Sequence, residues 1–217
     1  MDKKKQAWLV IIFVAAIIVV DQIVKILVKT NMQIGEDIPL IGEWCRLHFI
    51  ENEGFAFGTK FGGVVGKYIL TSIRLVASGL IIWYIGRMIK RGTRTSLIMA
   101  FAIVLAGAIG NLIDSLFYGL IFNAPNYEIA TLFPPEGGYA PLFLGRVVDM
   151  FYFPLFEFDW PMWVPLVGGE HIEFFSAIFN VADSAVTIGV VWLLVEYFFI
   201  EPKYSKSEKT EEGKSEE

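Results

Sequence analysis

The chain has few of the residues from which soluble enzymes commonly build metal sites or covalent staples. Among 217 residues there is one cysteine, Cys45, and two histidines, His48 and His171. A single cysteine excludes an internal disulfide, and three thiol and imidazole groups in all are too few for a zinc-type or heme-type centre, so no metal or organic cofactor is expected. Charge is also scarce. Asp, Glu, Lys and Arg make up 19% of the residues, against about 25% in an ordinary soluble chain. The net charge of -5 comes with no basic stripe to neutralise phosphates, which argues against a nucleic-acid partner.

The abundant residues are apolar, 55% of the chain. The charges gather at the ends: Lys3, Lys4 and Lys5 at the start, and six Glu with four Lys in residues 201–217. Four stretches between them have the roughly 20 apolar residues needed to cross a bilayer, at about 7–28, 66–89, 95–118 and 174–200. The first begins like a secretory leader, but it has no small-residue exit site and its apolar run continues past Asp21, so it is read as a retained helix.

Lys and Arg in the short flanks set the orientation. The N-terminal lysines, the hairpin bearing Arg87, Lys90, Arg91 and Arg94, and the tail lysines belong on the cytoplasmic side. Both termini are then cytoplasmic, and two loops, about 29–65 and 119–173, face outward. The fold class is an all-α membrane protein of four transmembrane helices, with a small extracytoplasmic β-sheet region and a long second outer loop. Residues 1–200 form one integral-membrane domain, and 201–217 form a charged, disordered cytoplasmic tail. Alternation over residues 44–51 predicts a strand at the membrane surface. The aromatic run from Phe151 to Trp163 reads as a headgroup belt.

Ionisable side chains at membrane depth are costly unless they face an interior or water, so they carry the functional information. Asp21 and Lys25 stand i,i+4 and can form a local ion pair near the interface. The third span ends Gly107-Ala-Ile-Gly110-Asn111-Leu-Ile-Asp114-Ser115, and the fourth carries Asn180-Val-Ala-Asp183-Ser184. Each places Asn and Asp three residues apart on one helical face. Gly107, Gly110, Ala182 and Ala185 permit close helix approach. Asp149, within Gly145-Arg146-Val147-Val148-Asp149-Met150, has apolar flanks that draw it towards the bilayer. Three Asp and two Asn that can converge, with no His or Cys among them, favour carboxylate acid–base chemistry. The alternative is a small proton- or ion-coupled transporter that uses the Asn/Asp pairs of the third and fourth spans.

Five blocks occur in order: Asp21-Gln22-x-x-Lys25; Asn52-Glu-Gly54-Phe-Ala56-Phe57-Gly58; Gly107-Ala-Ile-Gly110-Asn111-x-x-Asp114; Val147-Val148-Asp149; and Phe179-Asn180-x-Ala182-Asp183-Ser184. Together, over about residues 10–200, they resemble lipoprotein signal peptidase (signal peptidase II). The resemblance implies an aspartic endopeptidase of the bacterial inner membrane with its active site towards the outer face. It would remove signal peptides from diacylglyceryl-modified prolipoproteins, cutting just before the modified Cys. It would meet membrane phospholipid, be inhibited by globomycin, need no cofactor or metal and act as a monomer. Carried over by position, the catalytic pair is Asp149 and Asp183. Asn52, Gly54, Asn111 and Asn180 support the site or hold substrate, Asp21 and Asp114 are structural, and Lys25 lies near the outer face. Two departures stand out. Ser115 occupies a position that the family usually gives to Arg, and Arg146 is expected to supply that charge. About 25 residues between Gly119 and Gly145 form an insertion.

Overall fold

The computed structural model describes residues 1–53, 63–123 and 128–200. Four helices there are long and apolar enough to cross a membrane: α1 (Lys3–Asn31), α2 (Gly63–Arg91), α3 (Thr95–Ile121) and α4 (Val181–Ile200). The 29 residues of α1 and of α2 reach about 43 Å at helical rise, more than a hydrocarbon core of ~30 Å requires. Their outward faces are apolar, as with Leu80 and Trp83, about three-fifths exposed, because lipid is the solvent there. Both α3 and α4 loosen into π-helical pitch, at Asp114–Tyr118 and Glu196–Ile200 respectively.

Six strands lie in the segments that follow α1 and α3 in the chain: β1 (Asp37–Ile41), β2 (Cys45–Asn52), β3 (Val147–Tyr152), β4 (Phe156–Asp159), β5 (His171–Phe174) and β6 (Ile178–Phe179). Strands β1-β2-β3-β6 form one antiparallel sheet, and β4-β5 a separate two-stranded ribbon. The strand expected over 44–51 is β2. The fourth helix, in contrast, starts at Val181 and not near 174. Phe174 ends β5, paired with Phe156, and Ile178 and Phe179 pair with β3. A short apolar run does not distinguish buried strand from helix, and cross-strand partners decided the matter here. The expectation of disorder over 201–217 lies outside the described residues.

The chain divides into two compact units. The first comprises residues 1–19, 75–110 and, as far as described, 182–200. Its core is Val10, Ile85, Met88, Ile98, Ala102 and Leu105. Here α3 and α4 meet through small residues. A Cβ on Gly107 would stand 2.2 Å from the Ala182 carbonyl oxygen, and one on Gly189 would stand 2.6 Å from Val104 Cγ2. Such contacts let backbones approach where lipid supplies no hydrophobic drive for helix association. Buried Glu196 accepts from Arg94 Nη2 at 2.9 Å and from Ser96. The Gln6 side chain donates to the Thr93 carbonyl at 2.9 Å.

The second unit comprises, as far as described, residues 20–74 and 111–181. Its core joins Val28 and Met32 of α1, Phe49 of β2, Tyr118 of α3, Phe122 and Ala130 of the second loop, and Val148 and Met150 of β3. The long loop after α3 is packed, not draped. Phe122 bridges Leu132, and Cβ atoms on Gly138 and Gly145 would lie 2.1 Å from the Gly119 oxygen and 2.0 Å from the Asp114 oxygen. At the sheet edge, Arg46 Nε donates to both Asp37 oxygens (2.9 and 3.1 Å) and holds that carboxyl below its usual range.

Candidate active site

A network of buried polar groups lies in the second unit, built from α1, α3, β2, β3 and the residue that precedes α4. Lys25 is its cation. One turn beyond Asp21 on α1, its Nζ meets Asp21 Oδ2 at 2.9 Å, Asp114 Oδ2 at 2.8 Å and Asn111 Oδ1 at 2.8 Å. All three donor positions of the ammonium are used. Lys25 and Asp114 are wholly buried and Asp21 nearly so. Asp114 also accepts from Gln22 Nε2 (2.9 Å) and the Val148 main-chain N–H (3.3 Å). Tyr118 donates to Gln22 Oε1 at 3.1 Å. Asp114 therefore ties the end of α3 to α1 and β3, with both carboxylate oxygens engaged.

Asp149 is a different kind of carboxylate. It lies in β3 opposite Ile50, 2% exposed. Asn180 Nδ2 donates to its Oδ1 at 2.6 Å, and Asn52 Nδ2 to its Oδ2 at 3.3 Å. The Asn180 amide also faces Asn111 Oδ1 (3.1 Å) and the Val148 oxygen (3.2 Å). An amide on each oxygen orients the carboxylate without placing a cation against it in these contacts. Asn111 Oδ1 accepts from both Lys25 and Asn180, so one amide links the ion cluster to the carboxylate of β3.

The structure thus gathers Asp21, Lys25, Asn52, Asn111, Asp114, Asp149 and Asn180 in one unit. Asp183 belongs to the other. It stands half-buried in the first turn of α4, three residues after Asn180, and its main-chain oxygen accepts from Thr187 Oγ1 at 2.9 Å. Gly54 lies outside the described residues.

Arg146, expected to supply the charge that Ser115 lacks, directs its guanidinium to Glu51. Arg146 Nη1 donates to Glu51 Oε2 at 3.1 Å, its guanidinium stacks 5.4 Å from the Tyr139 ring, and its main-chain N–H donates to the Tyr139 hydroxyl at 2.7 Å. Pairing of Glu51 with Val148 and Asn52 with Val147 puts Arg146 beside the end of β2, and its chain neighbour Gly145 donates its main-chain N–H to the Ser115 oxygen at 2.9 Å. Lys29, wholly buried, joins Glu51 from the other side and lies 5.1 Å from the Phe122 ring. Burial pushes the Tyr139 phenol above its usual range, so the ring stays neutral against the two cations. At the Ser115 side chain itself, Arg74 of α2 donates from Nη1 to Oγ at 3.1 Å, and that hydroxyl in turn donates to the Asn111 carbonyl at 3.0 Å.

Tyr118, Arg74, Lys29 and Glu51 were not singled out from the sequence, and Gln22 entered only as part of the Asp21-Gln22-x-x-Lys25 block. Lys29 and Arg74 carried a usable signal, as ionisable residues within or at the end of an apolar span. Tyr118 did not. Among the described residues, no group of three or more His, Cys, Asp or Glu could hold a metal ion.

Four helices long and apolar enough to span a membrane, small antiparallel sheets and a buried carboxylate network define a multi-pass membrane protein, and comparison with known proteins supplies its chemistry. The family model described as signal peptidase (SPase) II matches residues 13–199. A lipoprotein signal peptidase of Porphyromonas gingivalis is 42% identical, over 91% of this chain and 86% of its own length. One from Amoebophilus asiaticus is 37% identical, over 82% of this chain and 73% of its own. A solved bacterial membrane enzyme, determined by the in meso method, superposes with a TM-score of 0.58 at 23% identity, covering 88% of this chain and 93% of the other. That likeness shows the fold. The class is a bacterial membrane peptidase. Within it, the chain belongs to the signal peptidase II family, the peptidases of lipoprotein maturation. Nothing in these matches favours the transporter alternative.

Proposed function

We propose that the chain is an aspartic endopeptidase that removes the signal peptide of diacylglyceryl-modified prolipoproteins, cutting just before the modified Cys, with Asp149 and Asp183 as the catalytic pair. The observation that carries this is the setting of Asp149: buried in β3, with one oxygen on Asn52 and the other on Asn180, the residue from which the chain enters the helix bearing Asp183. Asp21 and Asp114 are already engaged with Lys25, which makes them poor candidates for proton transfer.

One Asp, as carboxylate, takes a proton from water while that water adds to the scissile carbonyl. The other, protonated, donates to the carbonyl oxygen and, as the C–N bond breaks, a proton passes to the leaving amine. Asn111 and Asn180 position groups by hydrogen bonds. Residues 1–200 act as one domain of the bacterial inner membrane, working as a monomer among phospholipids, with both termini cytoplasmic and the acids towards the outer face. The cyclic peptide globomycin is expected to inhibit it.

Purified protein incubated with diacylglyceryl-modified precursor tests the reading. Wild type should release the signal peptide, and Asp149→Asn and Asp183→Asn should each lower turnover by about three orders of magnitude or more while leaving the fold intact. Cleavage by either variant at near wild-type rate would overturn the assignment.

A further inference from the structure

The β4–β5 ribbon has two chemically opposite faces. Cross-strand pairs Phe156↔Phe174 and Phe158↔Ile172 alternate with Glu157↔Glu173 and Asp159↔His171. Successive side chains of a strand point to opposite faces, so rings collect on one side and carboxylates on the other. The rings form an array: Phe156 and Phe174 stack at 4.6 Å with 7° between planes, and Phe158 meets Trp160 edge-on at 5.3 Å. On the other face His171 contacts Asp159 at 2.8 Å and Glu157 at 3.7 Å.

The tip between the strands is ordered by its own main chain. Trp160 N–H donates to the Glu170 oxygen (2.9 Å), Gly169 to Trp160 (2.8 Å) and Gly168 to Val164 (2.9 Å). Yet its large apolar side chains are not covered: Met162 is 85%, Trp163 81% and Leu166 100% exposed. Leu166 also holds a left-handed φ of 74°, a costly conformation for a non-glycine residue. A two-stranded ribbon is marginal in water by itself, so its aromatic face requires a cover.

We propose that this cover is the bilayer: the ribbon is a membrane-docking paddle that lays its aromatic face and the Met162–Leu166 tip into the lipid interface and turns its carboxylates to water. Continuity with the spans supports that occupant. Only residues 175–180 separate β5 from the first residue of α4, so the ribbon is tethered within about 24 Å of the point where a membrane helix begins. Trp and Phe beside a polar face are the composition of interfacial elements. From Val147 to Ile200 the chain contains no Lys or Arg, so the paddle docks by apolar insertion and not by attraction to anionic headgroups. This inference does not depend on the catalytic assignment.

A nitroxide on full-length protein in nanodiscs tests it. In a Cys45→Ser background, Trp163→Cys and, separately, Leu166→Cys are labelled. Leu80→Cys on the outward face of α2 gives the lipid reference, and Glu43→Cys, whose side chain is 87% exposed, the water reference. In phosphatidylcholine discs, both tip labels should relax several-fold more with dissolved oxygen than with a nickel chelate, as at Leu80 and opposite to Glu43. Addition of phosphatidylglycerol should leave that ratio unchanged or lower it. Values matching Glu43 would overturn the proposal, as would lipid-like values seen only with anionic lipid. Dipolar broadening that disappears on dilution with unlabelled protein would assign the face to a second copy. Protection seen only after addition of precursor would assign it to substrate. Either result overturns the bilayer assignment.

Discussion

At the scale of single residues, Lys25 holds most of the site's buried charge in balance. Two carboxylates and one carboxamide converge on it, and removal of one partner from a buried ion cluster typically destabilises by ~3–5 kcal/mol. Lys25→Met keeps the side-chain length and leaves Asp21 and Asp114 facing each other without a cation. The midpoint of thermal unfolding in detergent should drop clearly, and Asp114→Asn in the same chain should recover part of the loss. An unchanged midpoint in Lys25→Met would mean that the cluster is balanced elsewhere. Partner choice at this scale was only partly legible. The i,i+4 pairing of Asp21 with Lys25 could be read from spacing, because a helix makes such residues neighbours. The contacts of Lys25 with Asp114 and of Arg74 with Ser115 could not, since 89 and 41 residues separate those partners.

At the scale of elements, small residues set how closely helices and loops approach. Gly107 faces Ala182 so tightly that even a methyl group would overlap main-chain oxygen, whereas a Cβ on Gly79 of α2 meets nothing within 4 Å. Gly107→Ala should therefore destabilise by about 1–3 kcal/mol or more through forced separation of α3 from α4. Gly79→Ala should be neutral or slightly stabilising, by up to ~1 kcal/mol, since alanine favours the helix. Thermal midpoints of the two variants measured side by side check this, and equal effects would show that the close approach is not needed. The Gly107–Gly110 pattern made this packing readable in advance. The insertion after α3 was not readable in the same way. Gly145, which packs a loop onto the Asp114 carbonyl, looks in sequence like any loop glycine.

At the scale of the whole molecule, the uneven placement of Lys and Arg predicts sidedness. Cysteines placed at Gly92, in the basic hairpin between α2 and α3, and at Glu136, in the acidic second loop, report it in Cys45→Ser protein. A membrane-impermeant maleimide added to intact spheroplasts should label Glu136→Cys and spare Gly92→Cys until the membrane is opened. The reverse pattern would invert the topology and place the acids on the cytoplasmic side. The spans themselves, the family and the acids worth testing were determined by the sequence alone, because apolarity over about 20 contiguous residues and short ordered motifs are local properties. Tertiary structure alone decided that residues 171–174 and 178–179 supply strands before the fourth helix begins, that Arg146 serves Glu51, and that Arg74 reaches Ser115. Each of those outcomes depends on which distant segment lies alongside. A buried charge takes whichever partner the fold brings within about 3 Å, and an apolar run becomes strand or helix according to what it can pair with.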